Sequence, residues 1–324
     1  MPSFRTATIS GVLVERRGLQ RVVLDDGASA YVLTELIGPV AVGDRVVVNT
    51  TAVNLGLGTG GSHVVHWNLA REGWSAPAAG HIMKLRYTSL QLETDPLEPR
   101  DGGLAGRPVV ACTVHSQVPC VAAAFKQARP DARVAYVMTD GGALPIALSD
   151  LVHSMCAVGL IDRTVTAGNA FGGDDEATTV AAALSAVDAD LMIVGMGPGV
   201  VGMGHPLATT ALEVAAVLDT VDFLGGRPIA ALRYSDADAR DRHRGVSHHS
   251  LTVLELTRSV VDVGVPIGVD IEIEGHRVTA VPDVDVPALL EGLGLRVTSM
   301  GRGPEDDPLF YAVAGAAGTL ASLV

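Results

Sequence analysis

Lysine is almost missing from this chain: Lys84 and Lys126 are the only two among 324 residues. With 36 acidic against 23 basic side chains and a net charge of -13, no basic stripe is available to neutralise phosphates. That balance argues against nucleic acid and acidic membrane surfaces as partners. Aromatics, at 4%, supply no platform for stacking bases. The three cysteines, Cys112, Cys120 and Cys156, form no CxxC pair and no zinc-finger spacing, so all three are expected to be small buried hydrophobes. Long apolar runs are lacking too. Leu191 to Leu212 is uncharged but broken by five glycines and two prolines, and Leu309 to Val324 is short and rich in Gly and Ala, so neither reads as a membrane span. Met1 to Val12 has no basic region followed by an apolar one, which predicts no secretory signal and a cytoplasmic location.

What remains is a core-forming composition, 48% hydrophobic, in two rhythms. From Thr6 to about Trp67, short β-type runs (TATISGVLVE, LQRVVLDDG, ASAYVLTE, GDRVVVNTTAV) are separated by Asp-Gly and Gly-Asp turns, the pattern of a small β-barrel. GLGTGG at 56–61 reads as a hairpin loop. Residues 70–107 mix Pro, Gly and charge and read as a linker around a short ordered stretch, which puts the boundary near Asp101 and two domains at 1–100 and 101–324.

Beyond the boundary, apolar strands alternate with helical patterns: RPVVACTV, RVAYVMT, TVTAG, DLMIVGM and RPIAALRY. Helices are expected at about Pro119–Ala128, Ala143–Val158, Asp175–Ala186, Pro206–Leu218 and Ser250–Val261. Then come strand IGVDIEIE, strand HRVTAVP, a helix near Val286–Leu293, strand RVTSM and a final helix of small residues docked on the sheet. The fold class is α/β, a mostly parallel, Rossmann-like sheet with helices on both faces, preceded by the barrel.

In such a sheet, ligands bind beyond the carboxyl ends of the strands. All five strand ends are polar or glycine-rich. The fourth, GMGPGVVGMGHP, carries Gly195, Gly197, Gly199, Gly202 and Gly204 before a helix expected to start at Pro206, a loop suited to presenting N–H groups to an anion. Gly197 to Gly202 matches GxGxxG, but the delayed helix and the lack of an acidic residue about 20 positions on argue against a dinucleotide. A Walker-type site needs a lysine that neither Lys84 nor Lys126 supplies.

The fifth end holds Arg242, His243, Arg244, His248 and His249; with His115 and His205, five of the ten histidines fall at strand ends. His243 and His248 are not at helical spacing, so no metal site and no cofactor are assigned. Ser247 or His248, and Asp174 or Asp175, also qualify as plain helix caps. The candidate ligand-binding set is Gly197, Gly199 and Gly202, with Asn169, and Arg244 as a guanidinium clamp. His115, Asp140 and His248 are the candidate catalytic groups.

The runs AYVMTDGGALPIALSDLV, TAGNAFGGD, VGMGPGVVGMGHP, RHRGVSHHSLT and SMGRGPEDDPLFYAVAGAAG resemble an uncharacterised bacterial family, a domain of unknown function, over nearly the whole chain. That resemblance implies one continuous protein and transfers no catalytic role. Two readings of function follow from the residues. One is a hydrolase or group transferase acting on a small anionic, phosphorylated or carboxylated metabolite; the other is a non-catalytic sensor or scaffold that binds such a metabolite in the same cleft. Either is compatible with a homo-oligomer.

Overall fold

The computed structural model describes residues 1–58, 60–76 and 80–324. Thr59 of the GLGTGG loop and residues 77–79 of the expected linker lie outside the described residues. The chain divides into two compact units, 1–95 and 96–324. The second begins at Pro96 because Pro96 bridges to Glu176 and the Leu97 N–H donates to the Glu176 carbonyl, so these residues already belong to the larger sheet.

The first unit is a closed barrel in the order β1-β2-β3-β5-β4, formed by β1 (Phe4–Arg16), β2 (Leu19–Leu24), β3 (Ser29–Leu33), β4 (Arg45–Asn49) and β5 (His63–Asn68). Strand β1 is long enough to pair with both β2 and β4, which closes the cylinder, while β3 and β5 run parallel. This is the Greek-key order of an OB-type barrel. Inward residues Ile9, Val22, Leu24, Val32, Val46, Val48 and Val65 alternate with outward ones, as period-2 patterning requires. Two one-turn helices, α1 (Thr34–Ile37) and α2 (Thr51–Asn54), and a hairpin of β6 (Ile82–Lys84) and β7 (Leu92–Thr94) complete the unit.

In the second unit, eight strands form one parallel sheet in the order β11-β10-β9-β12-β8-β13-β16-β17. These are β8 (Pro108–Cys112), β9 (Val134–Thr139), β10 (Arg163–Ala167), β11 (Asp175–Ala177), β12 (Leu191–Met196), β13 (Arg227–Ala231), β16 (Asp262–Pro266) and β17 (Arg277–Val281). A two-stranded pair, β14 (Tyr234–Ser235) and β15 (Gly245–Val246), lies between β13 and β16 in the chain. Strands β8, β9 and β12 are buried along their whole length, because helices cover both faces of the sheet. On one side pack α3 (Gln117–Ala128), α4 (Asp150–Ala157), α8 (Val286–Gly292) and α9 (Pro308–Ser322). On the other lie α5 (Val180–Ala186), α6 (Glu213–Phe223) and α7 (His248–Leu256). Among the described residues, no helix is long and apolar enough to cross a membrane.

Several expected elements shift. Asp175–Ala177 is an edge strand, and α5 starts only after Thr179, whose hydroxyl accepts from the Ala182 N–H. Neither Asp174 nor Asp175 caps it: Asp174 accepts from Thr164 and Asp175 pairs with Arg163. No helix begins at Pro206. Residues 201–210 fold back as a hairpin, with Met203 N–H donating to the Ala208 carbonyl and Thr210 N–H to the Val201 carbonyl, and α6 starts at Glu213. The expected strand 267–274 is the return loop between β16 and β17, since parallel neighbours need a crossover. The expected strand at 296–300 is not formed: the chain is irregular to Thr298 and turns at 299–302, and the Tyr311 hydroxyl donates to the Val297 carbonyl. Cys112 and Cys120 are buried as expected, but Cys156 is exposed.

The small residues of α9 let it sit very close to its neighbours. A Cβ on Gly318 would lie 2.1 Å from the Val121 carbonyl oxygen of α3, and one on Gly264 of β16 would lie 2.4 Å from the Ala316 carbonyl oxygen. Backbone cannot yield as a side chain can. Gly318→Ala is therefore expected to destabilise the protein by about 1–3 kcal/mol, the range for overpacking. A lower denaturation midpoint at unchanged slope in urea would show it; an unchanged midpoint would contradict the close packing.

Candidate functional site

Strand β13 runs on past the sheet edge into Arg233, and the loop that follows, 234–247, is held by one buried carboxylate. Asp238 is 1% exposed and Arg233 3%. Three guanidinium groups reach Asp238: Arg240 donates through Nε (2.9 Å) and Nη2 (2.8 Å), Arg302 through Nη2 (3.1 Å) and Arg233 through Nη2 (3.3 Å). Hydrogen bonds from Arg240 and Arg302 overcome the cost of burial and hold the Asp238 carboxyl well below the usual range. Arg302 also donates through Nε to Asp307 (3.0 Å), which accepts from the Ser235 hydroxyl (2.7 Å). Burial pushes Arg233 down to about 10, with the Arg240 charge adding to the effect, so it stays charged at neutral pH.

This ionic knot positions a one-turn 3-10 helix, Asp241–His243, and the start of α7. Ser247 is the N-cap of α7, accepting from the His249 N–H as a capping serine should. The same hydroxyl lies 2.7 Å from His243 Nδ1. His243 therefore meets His248 and His249, the first two residues of α7. The ring centroids are 4.9 Å apart for His243 with each of the others and 4.3 Å for His248 with His249. One nitrogen from each ring lies within 4.8 Å of the other two. His243 and His249 are buried and His248 is half-buried. His248 Nε2 and both ring nitrogens of His249 are buried without a hydrogen-bond partner.

All three imidazoles are hard to protonate. Burial, then the charge of Arg233, brings His243 down to about 3; burial, then His248 and Arg233, brings His249 down to about 4. Burial and the Arg242 charge also lower His248. Each ring is a neutral group at neutral pH, with one N–H and one lone pair. Gly202, from the β12 loop, lies against the cluster: a Cβ there would come within 3.4 Å of His249 Cε1.

The other expected site residues are distributed around the same carboxyl edge. His115 is held by Ser149 Oγ at Nε2 (2.8 Å) and by the Tyr136 hydroxyl and the Met196 carbonyl at Nδ1 (3.2 Å each), and burial lowers it to about 4. Asp140 is exposed and accepts from the Asn169 N–H (2.9 Å), so these two candidates do meet. Beside them Thr139 donates to Glu213, whose carboxyl is raised by burial and by the Asp140 charge. Asp140, Gly168, Thr179 and Glu213 line a cleft of about 310 Å³. No hydrogen bond or ring contact among the described residues joins His115, Asp140 and His248.

Gly197 is buried, where a Cβ would strike the Ala143 carbonyl at 2.7 Å, so its role is close packing of two loops. Gly199 is exposed at φ +94°, a conformation suited to glycine. In the hairpin that follows, the Val201 and Met203 N–H groups are used internally. Arg244 is exposed, with no side-chain partner among the described residues. His243, His249, Arg233, Asp238, Arg302 and Glu213 were not singled out from the sequence as site residues. The signal for the first two was the density of histidine in RHRGVSHH, discounted because positions 243 and 248 do not share a helix face.

The protein-family model described as Protein of unknown function (DUF3866) matches residues 29–318, from the first residue of β3 to the last turns of α9. No curated protein matches the sequence.

Two outcomes are expected from these electrostatics. Asp238→Ala leaves buried Arg233 uncompensated and should cost about 3–5 kcal/mol, read by denaturant unfolding; a loss below about 1 kcal/mol would mean that the knot is not formed. The depressed histidines bind protons only once unfolded between pH ~6.5 and ~4, so stability should decrease as the pH is lowered through that window. His115→Asn should reduce the proton uptake on unfolding near pH 5 by about one. An unchanged slope of stability against pH would contradict a neutral, buried His115.

Proposed function

The chain belongs to that family of unknown function, and we propose that it is an enzyme, a hydrolase or group transferase, acting on a small phosphorylated or carboxylated metabolite at the carboxyl edge of the parallel sheet. The observation that carries this reading is the convergence of His243, His248 and His249 beside Gly202, with Arg242 close enough for its charge to act on two of the rings. Arg242 is exposed, its charge reaches His248 and His249, and it supplies a bidentate contact for the anion; Arg244, also exposed, extends the same basic rim. The neutral rings are weak general bases at pH 7, so their work is to orient the reacting groups, an attacking water included, and not to carry a proton alone. Gly197 lets two loops pack closely, and exposed Gly199 supplies the positive φ with which the chain turns into the hairpin that carries Gly202.

One observation favours the rival reading, a metabolite-binding sensor. Asp140 accepts from the Asn169 N–H, and among the described residues no histidine hydrogen-bonds to it, so the expected Asp140–imidazole pair is not preformed there. The two readings share the anion and differ in turnover.

A thermal-shift screen against phosphates, nucleotides and carboxylates, each with a divalent metal or a chelator, tests both. A ligand at about 100 times its dissociation constant adds roughly 2.7 kcal/mol, a midpoint rise of several degrees. The expected result is a hit that Arg242→Ala abolishes and Arg244→Ala weakens, with conversion of the compound detectable by mass spectrometry. A hit without conversion assigns the site to a sensor, and silence across the panel overturns the anion site.

A further inference from the structure

We infer that His243, His248 and His249 are the ligands of a divalent first-row transition metal, Zn2+ foremost. Among the described residues this is the only place where three metal-ligating side chains bring one donor atom each within 4.8 Å of the others. The inference stands on that geometry and not on the proposed activity.

Three features favour a cation of this class. The donor set is all imidazole, which suits Zn2+ and its neighbours and does not suit Mg2+ or Ca2+, whose shells are built from oxygen. The donors are also poorly served by protein. His248 Nε2 and both nitrogens of His249 are buried without partners, and a buried polar atom left so costs free energy that a bound ion would recover. Finally, the ring that does have a partner is held in the way metal-bound histidines are: His243 Nδ1 lies 2.7 Å from Ser247 Oγ, which leaves Nε2 for the ion.

Three protein ligands leave a fourth position of a tetrahedral ion open. Gly202 lies on the rim of the cluster, with no side chain to fill that position. The surrounding charge is positive, from Arg233, Arg240 and Arg242, with Asp238 already shared among three arginines. A bare dication would be opposed there. The ion is therefore expected with hydroxide or an anionic group in the open position.

The test uses the full chain, stripped with a chelator, dialysed, and titrated with Zn2+ under calorimetry, with Co2+ as a coloured substitute. The expected result is one equivalent of Zn2+ bound and intense visible Co2+ bands typical of tetrahedral coordination. His248→Ala, at the half-buried position, should keep the fold by circular dichroism and weaken Zn2+ more than the ~10–100-fold expected of an outer-shell loss such as Ser247→Ala. Should that variant fail to fold, zinc-edge X-ray absorption of the wild-type protein decides: a shell of imidazole nitrogens supports the site, and a shell of oxygen or sulfur alone overturns it. No uptake of Zn2+, or uptake unchanged in both His248→Ala and His249→Asn, also overturns it. Binding of inorganic phosphate to metal-free protein, with no uptake of metal, would make the cluster an anion site instead. Arg242→Ala should leave metal stoichiometry intact while abolishing any anion hit, so failure of the proposed activity and failure of the metal site are separately visible.

Discussion

The arrangement of the site depends on Asp238. Taking a carboxylate and a guanidinium out of water is expensive, and one pair seldom recovers the cost. Here three guanidinium groups share one carboxylate: Arg233 just past β13 and Arg240 in the loop flank it in sequence, and Arg302 arrives from the distant turn before α9. Asp238 and Arg233 are buried while Arg240 and Arg302 keep part of their side chains in solvent, so the carboxylate is fully compensated without three guanidinium groups being desolvated. His243 follows Arg240 by three residues, so the knot sets where that ring lies.

The sheet then brings the remaining parts together. Strand β8 sends its chain through α3 toward β9, whereas its neighbour β13 leads through α7 to β16 on the other side, so connections diverge at the carboxyl edge between them. Such divergence opens a crevice that loops fill. Gln117 occupies part of it, accepting from the N–H groups of Thr113 and Val114 and donating to the Ala231 carbonyl. The β12 hairpin reaches across toward α7 and puts Gly202 against His249. Farther along the edge, Asp140 and Glu213 form a separate acidic cleft.

Much of the fold was legible in the chain. Period-2 runs with Asp-Gly turns spelled a barrel, and unbroken apolar strands such as VAYVMT and LMIVGM spelled a parallel sheet buried on both faces. The reading failed where a local pattern had two solutions. Pro206 suits the first turn of a helix, yet it also suits the tip of a hairpin, and the backbone bonds of 201–210 chose the latter. IGVDIEIE alternates like a strand, but it is spent on returning the chain from β16 to β17.

The sequence by itself determined the fold class, the family, the polar or glycine-rich character of five strand ends and the concentration of histidine near position 245. Only the tertiary structure decided which of those groups act together. His115 and Asp140 went to separate surroundings, while His243 joined His248 and His249 although four residues separate it from the first of them. Spacing along a chain predicts proximity only when the intervening backbone is regular. His243 ends a 3-10 turn, and from it to His248 the path is a two-residue strand and a capping serine, in a loop shaped by charges that lie as far away as Arg302.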